Sequence, residues 1–401
     1  MRNCLCVFGL RLTMKIKDIF VGIFISLYLW SLSGGSISIL CQYHIVFVLY
    51  LYGTMLTVAP LFSKHRFRKI VMVVGCVLQL VYLLMIYRMG QDCVNNVLVL
   101  AAVNGIANGM YYCIYNLYEA EGIDNDARIK VTGRYDVINA IVSVAFPILA
   151  GLVIDKYGMR SGIVSVAVIS VLAIILAALY KDNGQSIGTK FSFSKMFEIL
   201  SIIPKGKAKY MTAMSCDLFR GFINSYGSFD IFISVWTMIA FSTATQVGSV
   251  SGISTCFKII FGLVFSKFGL KLHKKNITMF YVLRGIVVAS LISMAVTGNV
   301  IGLIVMTVSL KCSEAVESPI YGCGLSTLSN SGELTKYKSE FYVSLETILT
   351  IARLTGYSML WVWGRNNTTI TLAMCIIVYS ITLIITPAVE DRLYRFAYNI
   401  E

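Results

Sequence analysis

Lys311, Glu314 and Glu317 recur at intervals of three within VMTVSLKCSEAVESPIYGCG, the stretch from Val305 to Gly324. At helical spacing Glu314 lies beside both of the others, so the three groups share one broad face. Pro319 follows them two residues on. The surrounding segment, from Val300 to about Leu328, otherwise reads as membrane-spanning. In hydrocarbon each such charge costs about 2.5 kcal/mol or more, so this face must look into protein or water. Two carboxylates a turn apart in a low dielectric cannot easily both be ionised. The spacing therefore predicts that one of them carries a proton, with Lys311 opposing that tendency and a bound solute able to tip the balance. The chemistry is reversible proton binding.

The elements that must position these groups follow from composition. Of 401 residues, 57% are hydrophobic and 13% charged, and mean hydropathy is +0.77. Soluble domains carry about 25% charged residues. The chain reads as an all-α polytopic membrane protein. Twelve apolar stretches are long enough to cross a bilayer. Six lie at roughly 18–39, 42–62, 70–88, 97–118, 134–154 and 160–180. Six more lie at roughly 211–240, 244–266, 277–297, 300–328, 340–363 and 368–388. This divides the chain into a bundle over 1–180 with a leader at 1–17, a linker over 181–209, a second bundle over 210–390 and a tail over 391–401. The leader has a short apolar run, interrupted by Arg11, and no small-residue cleavage site follows; it reads as uncleaved. Met14 is an alternative start.

Most of the 34 lysines and arginines fall in the leader, the even-numbered loops, the linker and the tail. The opposite loops hold Arg88, Lys156, Arg160 and Arg365. The positive-inside rule then predicts cytoplasmic termini in a cell membrane. It also accounts for the net charge of +14 as a topology device rather than a nucleic-acid footprint. The eleven cysteines are scattered without a CxxC or a Cys/His cluster, so no metal site, cofactor site or disulfide scaffold is indicated. The three histidines, His44, His65 and His273, are isolated, which argues against a catalytic centre.

Ten ionisable residues lie inside the spans of the second half: Asp217, Arg220, Asp230, Lys258, Arg284, Lys311, Glu314, Glu317, Glu346 and Arg353. Five acids against five bases suggests mutual neutralisation within one bundle. Asp230, Glu314 and Glu317 are candidates for proton coupling and Lys311 for substrate contact. Asp217, Arg220, Lys258, Arg284, Glu346 and Arg353 are assigned to a charge network. Segments one to six have no such charges away from their ends. Segment four instead places Asn104, Asn108, Tyr111 and Tyr115 on one helical stripe. These side chains suit hydrogen bonding and stacking with a ligand. Bonds between packed helices would use the same groups, and Gly105 and Gly109 suit close packing. Segment one offers Trp30 beside Gly34-Gly35, a pair able to loosen a helix next to a cavity or to let helices approach.

Two loops carry a familiar pattern. Ala59-Pro60-Leu61-Phe62-Ser63-Lys64-His65-Arg66-Phe67-Arg68-Lys69 and its echo Gly262-Leu263-Val264-Phe265-Ser266-Lys267-Phe268-Gly269-Leu270-Lys271 resemble the Gly-x-Leu-Ala-Asp-Arg-x-Gly-Arg-Arg motif of the major facilitator superfamily. Both have Ser where that motif has Asp. Phe146-Pro147 through Gly151 and Gly158-Met159-Arg160 resemble the Gly-Pro-x-x-Gly-Gly and Gly-x-Arg stretches of family members. The resemblance implies two six-helix bundles around a cavity lined by segments one, four, seven and ten, where the stripes above lie. Together with the charges above, it points to a monomeric secondary transporter, a symporter or antiporter moving a small polar or amphipathic solute by alternating access; the carboxylates of segment ten add the expectation of proton coupling. A transporter-like sensor or a lipid flippase without proton coupling is the alternative.

Overall fold

The computed structural model describes residues 2–63, 65–121, 125–180, 191–201, 208–223, 227–269, 273–329, 337–366 and 369–398. Every regular element in them is helical. The first half contains α1 (Arg2–Phe20), a π-helical turn (Val21–Ile25), α2 (Ser26–Leu32), α3 (Ile37–Val58), α4 (His65–Met89), α5 (Val97–Glu121), α6 (Asn125–Tyr157) and α7 (Met159–Leu179). After the linker helix α8 (Phe193–Ser201) come α9 (Ala208–Ile223), α10 (Ser228–Ala240), α11 (Ala244–Gly269), α12 (His273–Thr297), α13 (Val300–Ser329), α14 (Lys338–Asn366) and α15 (Thr369–Tyr398). Taking α1 with α2 and α9 with α10, this is a twelve-span membrane protein in two six-helix bundles, with α8 following α7 in the chain.

Eight of these spans are long and apolar enough to cross a membrane on their own. The other four are α1–α2, α9–α10, α13 and α14; α1–α2 and α9–α10 are interrupted, and α13 and α14 carry Lys311, Glu314, Glu317, Glu346 and Arg353.

The chain divides into two compact units, residues 1–191 with 242–252, and residues 192–241 with 253–401. In the first, α3 runs along α5. Gly105 and Gly109 put the α5 backbone against α3, and a Cβ on Gly109 would sit 2.6 Å from the Leu51 carbonyl oxygen. In the same unit the Asp155 carboxylate caps the start of α11, accepting from the amides of Ala244 at 3.0 Å and Thr245 at 2.8 Å. Such capping satisfies amides that a helix leaves unpaired. In α7, Val164, Val168, Val171, Leu172 and Ile175 are exposed, whereas Ala167, Ser170, Ala173 and Ala177 are buried. Large residues facing out and small ones in is the pattern of a helix whose solvent is lipid.

In the second unit α15 packs on α9, α12 and α13, and α14 packs on α9. Phe229 and Phe232 pack at a tilt against Tyr379, and Phe232 also against Trp363; the Tyr379 hydroxyl donates to Ser228 at 2.9 Å. These contacts tie α10 to α14 and α15.

Three span boundaries differ from those read in the sequence. The first helix begins at Arg2 and ends at Leu32, and the next begins at Ile37. The reason is Gly34-Gly35: both residues adopt positive φ, 64° and 84°, which ends the helix in a turn. The paired glycines therefore lie between two spans rather than inside one. The seventh span is built from two helices, α9 and α10, rather than one. The last helix continues beyond 388 to Tyr398, straight through Pro387.

Adding side-chain volume at Gly109 should separate α3 from α5. Gly109→Val should lower the thermal midpoint by the equivalent of about 1–3 kcal/mol, as overpacking does. Gly285→Ala in α12, where an added Cβ meets nothing within 4 Å, should leave the midpoint unchanged or raise it. Thermal unfolding of the detergent-solubilised variants reads both.

Candidate functional site

In the first unit the polar side chains form one buried run across four helices. Lys17 on α1 is 1% exposed and donates to Asn108 Oδ1 at 3.0 Å. It also pairs with Asp18 at 2.5 Å. Asn108 Nδ2 donates to Asn104 Oδ1, one turn earlier, at 2.7 Å. Asn104 Nδ2 donates to the Tyr43 hydroxyl on α3 at 2.8 Å, which meets the Tyr82 hydroxyl of α4 at 2.6 Å. Tyr112 donates to the Asp18 carboxylate.

Thus Asn104 and Asn108 are both buried and hold Lys17 and Tyr43 in place. Tyr111 is buried edge-on against Tyr112. Trp30 lies near the end of α2, its ring 3.4 Å from where a Cβ on Gly35 would sit. The Tyr115 side chain lies outside the described residues. Lys17 and Asp18 were missed in the sequence because residues 2–17 read as a leader. They are helical instead, with Val7, Leu10 and Met14 buried, which draws Lys17 into the bundle. The available signal was the Asn104/Asn108 stripe, two buried amides in need of partners.

In the second unit the charges separate into two groups. Glu314 on α13 receives Lys311 at 2.7 Å and Lys258 of α11 at 2.8 Å. Side-chain exposure is 32% for Lys311 and 35% for Lys258, so this group is partly open. Asp230, the third residue of α10, interacts electrostatically with Lys311, Glu314 and Lys258. Among the described contacts its carboxylate makes no ion pair.

One turn along α13, Glu317 is 1% exposed. It takes Arg284 of α12 at 2.5 Å on one oxygen and Arg220 of α9 at 3.0 Å on the other. The Arg220 guanidinium also covers the Tyr321 ring at 3.6 Å, and Tyr321 donates to Asp217 at 2.6 Å. Arg353 pairs with Glu346 at 2.6 Å within α14.

Glu314 and Glu317 are therefore not set against each other, as their spacing predicts. Each faces its own pair of cations. The stranded partner of Glu317 is Glu390 on α15, fully buried, 3.9 Å from Arg220 and interacting with Glu317 and Arg284. Glu390 escaped the sequence reading because the apolar run ends at 388, whereas the helix does not. Its charge sits one turn past Pro387, and the five-against-five balance of the sequence becomes six carboxylates against five cations.

The sequence model of the Major Facilitator Superfamily matches residues 5–333. This chain belongs to that superfamily. Membership places it among membrane transport proteins rather than enzymes. It aligns at 24% identity over 185 residues with an uncharacterised protein, YqgE, of Bacillus subtilis (strain 168). That alignment covers 43% of this chain and 40% of the relative, so the match spans about two fifths of the relative's length.

Solved structures share the fold over almost the whole chain. A bacterial homologue of the iron transporter ferroportin, in an inward-facing state, superposes with a TM-score of 0.65 at 15% identity, covering 98% of both chains. The peptide transporter POT gives 0.67 at 12% identity, covering 98% of this chain and 95% of that one. The nucleoside transporter NupG gives 0.65 at 12%, covering 99% and 98%.

Removing Arg284 leaves Glu317 and Glu390 with Arg220 alone. Arg284→Met should therefore destabilise the protein by about 3–5 kcal/mol, the usual cost of stranding a buried charge. Arg284→Met combined with Glu390→Gln should recover a substantial part of that loss. Thermal midpoints of the two variants measure the difference; equal midpoints would mean that Glu390 does not share the arginines.

Proposed function

We propose that this protein is a secondary active transporter moving a small polar or amphipathic solute across the cell membrane by alternating access, coupled to protons, with Asp230 as the proton carrier. The observation that carries the reading is the partly open group of Asp230, Lys258, Lys311 and Glu314. Each of these residues is far from a span end, where charge is retained only if it faces protein or water. Glu314 is already compensated twice, by Lys258 and Lys311. Asp230 is held near the same lysines without being clasped by either.

A proton on Asp230 removes one negative charge from a group of two lysines and two carboxylates. The lysines then share one carboxylate, and an acceptor or anionic group on the solute can supply the missing negative charge beside Lys311. Loss of the proton restores the balance without the solute. Proton and solute thereby alter one another's binding through the same two lysines, which is the reciprocity that coupling requires. Within the first unit, the buried run of Asn104, Asn108 and Lys17 holds Asp18, whose carboxylate accepts from Tyr112.

The distribution of lysine and arginine supports cytoplasmic termini. A reactive tag at Lys195 or at the C-terminus should be protected from an impermeant reagent in intact cells. A tag beside Asn366 should label. Labelling at Lys195 would contradict this orientation.

The transport test uses purified protein in liposomes and a solute selected by thermal stabilisation from an unbiased panel. A pH gradient should drive accumulation by the parent protein. Asp230→Asn should abolish accumulation yet retain solute-for-solute exchange, since exchange moves no net protons. Gradient-driven accumulation by Asp230→Asn at the parent rate would overturn the assignment. Solute stabilisation without transport by the parent protein would favour a sensor.

A further inference from the structure

We propose that the linker helix α8 is a membrane-surface element, lying in the headgroup layer of an anionic bilayer through Phe193 and Phe197. Plotted at 100° per residue, Ile199, Met196, Leu200, Phe193 and Phe197 form one continuous apolar arc. Ser194, Lys195 and Glu198 occupy the opposite side. A helix that served only to cover the second unit would bury that whole arc. This one buries only part of it.

Met196 is 2% exposed, and its carbonyl accepts from the Ser344 hydroxyl at 3.3 Å. Ile199 packs on the cluster of Ala213, Cys216, Leu328, Phe341, Leu345 and Leu393. The helix start is pinned where the Ser192 amide donates to Glu340 at 2.9 Å. Phe193 and Phe197, one turn apart at the edge of the same arc, remain 43% and 60% exposed. The fixed side therefore sets the roll of the helix and leaves Phe193 and Phe197 at its exposed edge.

Charge identifies what they meet. The linker from 181 to 209 holds six lysines, Lys181, Lys190, Lys195, Lys205, Lys207 and Lys209, against Asp182 and Glu198. Basic residues beside an amphipathic helix are attracted to anionic headgroups. The apolar side of such a helix enters the interface by about 5–10 Å. Lys195 keeps its charge on the polar side, paired with Glu198 at 2.6 Å and over the Tyr337 ring at 5.4 Å. Two aromatic anchors beside an excess of lysine match an anionic bilayer surface better than a water-filled one.

The test places an indole at each side of the helix in the full-length protein. Phe197→Trp and Glu198→Trp are reconstituted in vesicles of phosphatidylcholine with or without phosphatidylglycerol, the chains brominated close to the headgroup. Both positions are exposed, so neither change disturbs the core. The expected result is loss of the added emission for Phe197→Trp, larger in the vesicles containing phosphatidylglycerol, and none for Glu198→Trp. Equal quenching at the two positions, or none at either, would overturn the lipid contact. Quenching of Phe197→Trp that ignores phosphatidylglycerol would overturn the anionic partner.

Discussion

A charge inside a bilayer must find its counter-charge inside the protein, and the architecture of the second unit follows from that requirement. Arg220, Arg284, Glu317 and Glu390 come from four different helices, α9, α12, α13 and α15. Only when those helices are assembled is any of the four compensated. Removing one partner strands the others in a medium that offers no water. The same constraint operates on a smaller scale in the first unit, where a single lysine recruits Asp18, Asn108 and, through Asn104, two tyrosines from α3 and α4. Apolar burial supplies little drive between helices already surrounded by lipid. The polar clusters and the close glycine contacts of α5 therefore specify which helix lies beside which.

Compensation is uneven, and the proposed function rests on that unevenness. Glu317 and Arg284 are sealed, with 1% and 0% of their side chains exposed. That arrangement suits a fixed structural joint. Lys258, Lys311 and Glu314 are partly open, and Asp230 stands beside them without a direct ion pair among the described contacts. An open group with one unclasped carboxylate can change its charge without dismantling the bundle. A sealed group cannot.

Fold class was legible because it depends on bulk properties: long apolar runs, positive loops and a six-plus-six division survive any local misreading. The charges of α13 were legible too, since ionisable residues in an apolar segment announce themselves. What could not be read was partnership across helices. Spacing along α13 put Glu314 and Glu317 together as rivals, but Lys258 and Arg284, remote in sequence, arrive from α11 and α12 and give each its own cations. Lys17 and Glu390 were lost for a related reason. Both lie at the edge of an apolar run, and hydropathy places such residues in water. Their helices carry them into the bundle because residues on the near side, such as Met14 and Leu393, are buried. Gly34-Gly35 misled in the opposite direction: composition kept the pair inside a span, whereas positive φ makes it a turn.

Proton coupling at Asp230 requires one carboxyl group to change protonation within an otherwise compensated network. Infrared difference spectroscopy on the purified protein, recorded on raising the pH, observes that change directly through loss of a protonated carboxyl C=O band. The parent protein should lose such a band, and Asp230→Asn should show none, while Glu314→Gln should retain it. A band that persists unchanged in Asp230→Asn would contradict the account and place the exchangeable proton elsewhere.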